Sequence, residues 1–209
     1  MMADKLLEIF LTIPALLIAF SVKEYARARV ADMLGDKTPR LQGRLTLDPF
    51  AHIDIMGLIF MLFLSFGWSK AVQINRNAFK NPRRDALKVN FAALFSNLFV
   101  AFIASLFYVL LIVLFGARSD TMQIISLILY YIIMINVNLF VFNILPLPGL
   151  DGFRILADLF PSLFHKIAGT IYRYYVIILI AVLLIGSNLL IYPCSYIINA
   201  FINMWAIIL

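Results

Sequence analysis

The chain has 209 residues, of which 64% are hydrophobic and 13% charged, and its mean hydropathy is +0.98. A soluble domain is about half apolar, so a water-soluble globule is excluded and the excess must face lipid. The net charge of +6 is concentrated between the first two apolar stretches, with no aromatic-basic recognition pattern beside it, so it reads as a topology signal rather than a nucleic-acid patch.

The first apolar stretch, 6–22, is long enough to cross a hydrocarbon core of about 30 Å. Asp4 and Glu8 spoil a basic n-region, and no small-residue cleavage site precedes the charged run 23–29, so it is expected to stay as a span rather than be removed as a signal peptide. Helix formers continue past Lys23 with no breaker before Gly35. Lys23 and Arg27 therefore share a helix face, with Glu24 beside Lys23. This is the spacing of H-E-x-x-H, in which two histidines bind zinc and the glutamate is the base, with both histidines replaced. Taken alone, K-E-x-x-R is a common solvated helix face.

Between Asp32 and Asn81 the chain is more polar. The stretch 55–68 is too short to span, and Gly57 and Gly67 suggest a re-entrant hairpin or interfacial segment, while 71–75 alternates as a short strand does. The run Asn81-Pro82-Arg83-Arg84-Asp85 caps a second span at 89–115. A connection at Arg118, expected on the outside, leads to a third span at 121–145. That span ends in Pro146, Pro148, Gly149 and Gly152, which forbid a regular helix. Backbone broken near membrane depth is tolerated only where it is buried in protein or lines a polar cavity, which places a site there.

A basic connection with Arg154, Lys166 and Arg173 returns to the cytoplasmic side before a fourth span at 174–192 and a weaker fifth at 195–209. Tyr172, Tyr174, Tyr175, Tyr192, Trp68 and Trp205 read as interfacial aromatic belts. The single cysteine, Cys194, excludes an internal disulfide framework and argues against a thiolate metal site. There is no internal repeat or second soluble unit. The expectation is one membrane-embedded domain over 1–209: an all-α polytopic bundle of four spans and a weaker fifth, with a re-entrant or interfacial hairpin and a minor β-strand.

Taken in order, 23–27 with 43–54 (G-R-L-T-L-D-P-F-A-H-I-D), 66–70 (F-G-W-S-K), 81–84 (N-P-R-R) and 143–152 (N-I-L-P-L-P-G-L-D-G) resemble the site-2 protease family of intramembrane zinc metalloproteases (peptidase M50), in its compact form without a PDZ domain. The resemblance covers the chain from the first span to Leu156. It implies that the two histidine ligands fall on Lys23 and Arg27, the general base on Glu24, and the third ligand, an aspartate, on Asp151. It also assigns substrate positioning to Asn143 and, through the segment 93–97, which keeps the asparagine but loses the family's glycine and proline, to Asn97.

Arginine offers a metal no lone pair, and lysine would first have to lose its proton, against a pKa of about 10.4. No cofactor is therefore expected, although the family and the alternative reading both require zinc. Lys23 and Arg27 are expected to stand in for the metal's charge and pair with Asp151 and Glu24, since an unpaired ion inside a bilayer protein is costly; the alternative is that each snorkels separately to the interface. His52 reads as a hydrogen-bonded loop histidine, and His165 has no partner at metal-binding spacing.

The resulting expectation is a proteolytically inactive homologue in the cell membrane, surrounded by lipid, that binds or regulates a membrane-spanning partner and has no nucleic-acid role. Connections 23–88 and 149–173 are expected to be cytoplasmic. The alternative is an active zinc protease that recruits His52 or carries altered histidines. A third reading, a small transporter or channel gated by the charge cluster, lacks the inverted repeat that such folds show.

Overall fold

The computed structural model describes residues 2–64, 67–116, 119–184 and 186–209, and gives the backbone alone for 2–8, 61, 64, 183, 184 and 186–189. The connection at Arg118 and the Phe66 of the F-G-W-S-K run lie outside the described residues. The fold is all-helical. Helix α1 (Met2–Met33) runs from the first apolar stretch through the charged K-E-x-x-R without a break. It stops where Gly35 takes a φ of 111°, a left-handed conformation that only glycine adopts at no steric cost.

Two one-turn helices, α2 (Thr38–Leu41) and α3 (Pro49–His52), precede α4 (Ile55–Leu64). The ten residues of α4 cover about 15 Å, half the hydrocarbon thickness, so it cannot cross. A side chain at Gly57 would overlap the Trp68 backbone carbonyl, and this close approach folds the segment after α4 back against its start.

Helix α5 (Pro82–Phe115) opens with proline at its first position after Asn81, where the missing N–H costs nothing. Its 34 residues reach about 50 Å, so its basic end projects beyond the hydrocarbon. Helix α6 (Asp120–Ile144) is capped by the Ser119 hydroxyl, which accepts from the Met122 N–H. It is followed by α7 (Asp151–Leu159), α8 (Pro161–Leu184) and α9 (Gly186–Ile208).

Among the described residues, five helices can cross a membrane by length and composition: Ile9–Met33, Pro82–Phe115, Asp120–Ile144, Pro161–Val182 and Leu190–Ile208. The fourth apolar stretch, read from sequence as 174–192, straddles two helices. Helix formers carry α8 back to Pro161, and a new helix begins at Gly186.

Helices α1, α5 and α6 pack against one another as the centre of the molecule. Ala15 and Ala19 of α1 and Ala93 and Ala101 of α5 are fully buried, which lets helix backbones approach where lipid gives no hydrophobic drive for association. Cys194 and Ile198 seat α9 on the α5–α6 pair. Helix α8 packs against α7 and α9 and buries none of its apolar window, leaving it to face lipid.

The expected minor strand at 71–75 does not form, and among the described residues there is only an isolated bridge between Ile53 and Ser69. The physical reason is that side chains, not a partner strand, take its backbone groups. The Val72 N–H donates to Glu24 Oε2 at 2.8 Å and the Asn75 N–H to Asp36 Oδ2 at 2.7 Å.

Candidate functional site between α1, α6 and α7

The break after α6 is built from residues that cannot continue a helix. Pro146 and Pro148 lack donors, Gly149 takes a φ of 92°, and the Leu147 and Leu150 N–H groups bond to the Leu145 and Leu147 carbonyls at 2.8 and 3.0 Å. A side chain at Gly152 would overlap the Ile144 and Leu145 carbonyls. This approach sets the first turn of α7 against the end of α6 and directs Asp151 at the charged face of α1.

There Asp151 meets both cations. Arg27 Nη2 donates to Asp151 Oδ1 at 2.5 Å, and Lys23 Nζ lies 3.0 Å from Oδ2. Lys23 Nζ also donates to Asn143 Oδ1 at 2.8 Å. Arg27 Nη1 donates to Asn90 Oδ1 at 3.0 Å and its Nε to Glu24 Oε2 at 3.2 Å. Glu24 Oε1 accepts from the Ser69 hydroxyl at 2.8 Å, and Oε2 also accepts from the Val72 N–H. Lys23, Glu24, Arg27, Asn90, Asn143 and Asp151 are all buried. Buried charges persist only when paired and hydrogen-bonded, and here each ion has at least two partners.

Burial alone would push the Asp151 carboxyl up. The charges of Lys23 and Arg27, with their hydrogen bonds, outweigh it and hold the group well below the usual carboxylate range. Arg154, one turn into α7, is placed differently. Its side chain is 37% exposed and its Nη1 is 3.9 Å from Asp151 Oδ1, too long for a hydrogen bond. Burial and then the neighbouring Arg27 push this guanidinium down from its ordinary value.

These charges line a small cleft of about 70 Å³ together with Phe20, Trp68, Leu139, Phe142 and Leu150. Asn143 lines it, but its amide is committed at both ends, to Lys23 and through Nδ2 to the Leu139 carbonyl at 2.7 Å. Asn97 lies elsewhere, buried among α1, α5 and α6. Its Nδ2 donates to the Ala19 carbonyl at 3.2 Å and to Asn136 Oδ1 at 2.9 Å.

His52 is buried in the loop and bonds through Nε2 to the Thr46 carbonyl at 2.7 Å, while Nδ1 finds no partner among the described residues. Neither His52 nor His165 lines the cleft. Among the described residues no three His, Cys, Asp or Glu side chains are gathered as a metal site would need.

Residues 9–187 match the model described as Peptidase family M50. The chain belongs to this family. A Bacillus subtilis (strain 168) protein bearing the name "Putative zinc metalloprotease YwhC" is 42% identical over 148 residues, 70% of this chain and 67% of that relative. No solved structure matches.

Within this M50 fold, the positions to which the resemblance assigns metal ligands, 23, 27 and 151, meet in space. Sequence reasoning missed Asn90, Ser69 and Asn136 and read Arg154 only as a topology charge. Asn90 left a trace, lying two helical turns before Asn97 on an otherwise apolar face. Ser69 stood only within the F-G-W-S-K run and Arg154 only among the basic residues, because the fold alone brings them to the charged face of α1.

Proposed function

We propose that this M50 protein is a proteolytically inactive homologue that keeps the family's cleft and uses it to hold a membrane-spanning segment of another protein. The observation that carries this reading is that both carboxylate oxygens of Asp151 face cations, at 2.5 and 3.0 Å. A catalytic zinc takes three protein donors and leaves one position open for water. The residues present do not fit that ion. Arg27 has no lone pair to give, the Lys23 ammonium donates to Asn143 and faces Asp151, and Asp151 is neutralised.

Glu24 supports the same reading. A general base must reach the proton that it abstracts, whereas both Glu24 oxygens already accept hydrogen bonds from Ser69, Val72 and Arg27. What persists is a shape, a cleft with apolar walls at the end of a broken span. We place it in the cell membrane as one domain over 1–209, with connections 23–88 and 149–173 cytoplasmic, on the basis of the positive-inside rule.

The name of the B. subtilis relative favours a second reading, an active zinc protease. Metal analysis of the purified, unmodified protein, paired with a cleavage assay on a helical substrate, separates the two. The inactive reading expects far less than one zinc per chain and no cleavage, with zinc gained by the double variant Lys23→His, Arg27→His. One tightly held zinc per unmodified chain, with cleavage, overturns it.

A further inference from the structure

The charges around the cleft do not cancel. Lys23, Arg27 and Arg154 face Glu24 and Asp151, the ionisable groups of opposite sign lining the same space. Asp151 is taken by Arg27 and Lys23 at 2.5 and 3.0 Å, and Glu24 by Arg27, Ser69 and Val72. The cation left over is Arg154. It makes no hydrogen bond among the described residues, and its nearest carboxylate oxygen, at 3.9 Å, already belongs to a closer guanidinium.

The neighbouring cation Arg76 does not share this need, because Asp158 holds it at 2.8 and 2.6 Å. Arg154 is also partly withdrawn from water. It is little more than one-third exposed, within a cleft walled by Trp68, Phe142 and Leu150. A guanidinium presents a planar fork of donors suited to a carboxylate, and charge-assisted pairs gain strength where water is thinned out.

We propose that the cleft recognises a carboxylate side chain, Asp or Glu, at the edge of an apolar segment, received by the Arg154 guanidinium while the aromatic walls cover the apolar residues beside it. This rests on the segment-binding reading and adds the chemistry that selects the partner. A peptide is favoured over a lipid headgroup because Phe20, Trp68, Leu139, Phe142 and Leu150 line the same cleft as the cation, an apolar lining suited to the side chains beside a carboxylate in an apolar segment.

The test uses two synthetic apolar peptides of roughly 20 residues, identical except for one Glu or Gln where the apolar run meets its polar flank. Both carry a dansyl group. The full chain, with Trp205→Phe so that Trp68 is its sole tryptophan, is reconstituted in phosphatidylcholine nanodiscs, and energy transfer from Trp68 reads binding. The Glu peptide is expected to bind about tenfold tighter than the Gln peptide. Arg154→Gln is expected to bring that ratio close to one and Arg154→Lys to keep part of it, with thermal unfolding reporting that each variant is folded.

Equal binding of both peptides to the unmodified chain overturns the carboxylate assignment and leaves segment binding standing. Binding of neither overturns both. Loss of the Glu preference when phosphatidylglycerol is added assigns Arg154 to a lipid phosphate and overturns the peptide as its occupant.

Discussion

Replacing Asp151 by alanine would leave the Lys23 ammonium and the Arg27 guanidinium buried without the carboxylate that faces both of them. Removing one partner of a buried ion pair costs about 3–5 kcal/mol, so Asp151→Ala should lower the thermal unfolding midpoint in detergent by several degrees. An unchanged midpoint would mean that the cluster does not hold α7 to α1. The pH dependence follows from the same contact. The folded Asp151 carboxyl titrates below its ordinary value, about 3.9 for an unfolded Asp. Its contribution is therefore fully present above that value and is lost as pH falls toward the folded pKa. The gap between the unfolding midpoints of the unmodified protein and Asp151→Asn should stay constant from about pH 5 to 8 and narrow below about pH 4.

At the level of elements, Glu24 works as a clasp. It is the residue on α1 that holds the extended segment after Trp68, through the Ser69 hydroxyl and the Val72 amide. Glu24→Ala should leave α1 helical while releasing that segment, raising hydrogen exchange at the Val72 amide relative to the core of α5. Exchange at Val72 that matches the unmodified protein would refute the clasp. Gly152 decides how α7 leaves α6. Gly152→Ala sets a methyl group against the Ile144 and Leu145 carbonyls, and overpacking of this kind costs roughly 1–3 kcal/mol, readable as a lowered midpoint. The break between the spans was plain in Pro146, Pro148 and Gly149. The strand at 71–75 was not so plain, because alternation records which residues are buried but not which groups take the backbone hydrogen bonds.

Across the whole molecule, charge and packing divide the chain into two regions. Ala-rich contacts among α1, α5 and α6 form the membrane-embedded centre, and paired ions join the polar segments at one end. Among these, Asp158 near the end of α7 takes two bonds from Arg76, and Arg83 donates to the Asp158 and Leu159 carbonyls. This ties the start of α5 and the segment before it to the last turn of α7, so both belong on one side of the membrane. Single cysteines placed at Lys80 and at Ser162 in a Cys194→Ala background should therefore both label from the same side of the membrane with a membrane-impermeant thiol reagent. Labelling from opposite sides would refute the arrangement.

Sequence alone determined that the chain is helical and membrane-embedded, that α1 carries its charges on one face and that a broken span ends near Asp151, because helix periodicity, apolar length and the missing proline N–H are local properties. It also raised the pairing of Lys23 and Arg27 with Asp151, since buried charge of one sign demands the other. Only the tertiary structure decided which acceptor goes with which cation. It committed Asn143 to Lys23 and Asn97 to Asn136, brought Asn90 to Arg27, closed Glu24 under the 69–72 segment and left Arg154 over. Those choices depend on distances between residues far apart in the chain, which are fixed only when α1, α5, α6 and α7 pack together.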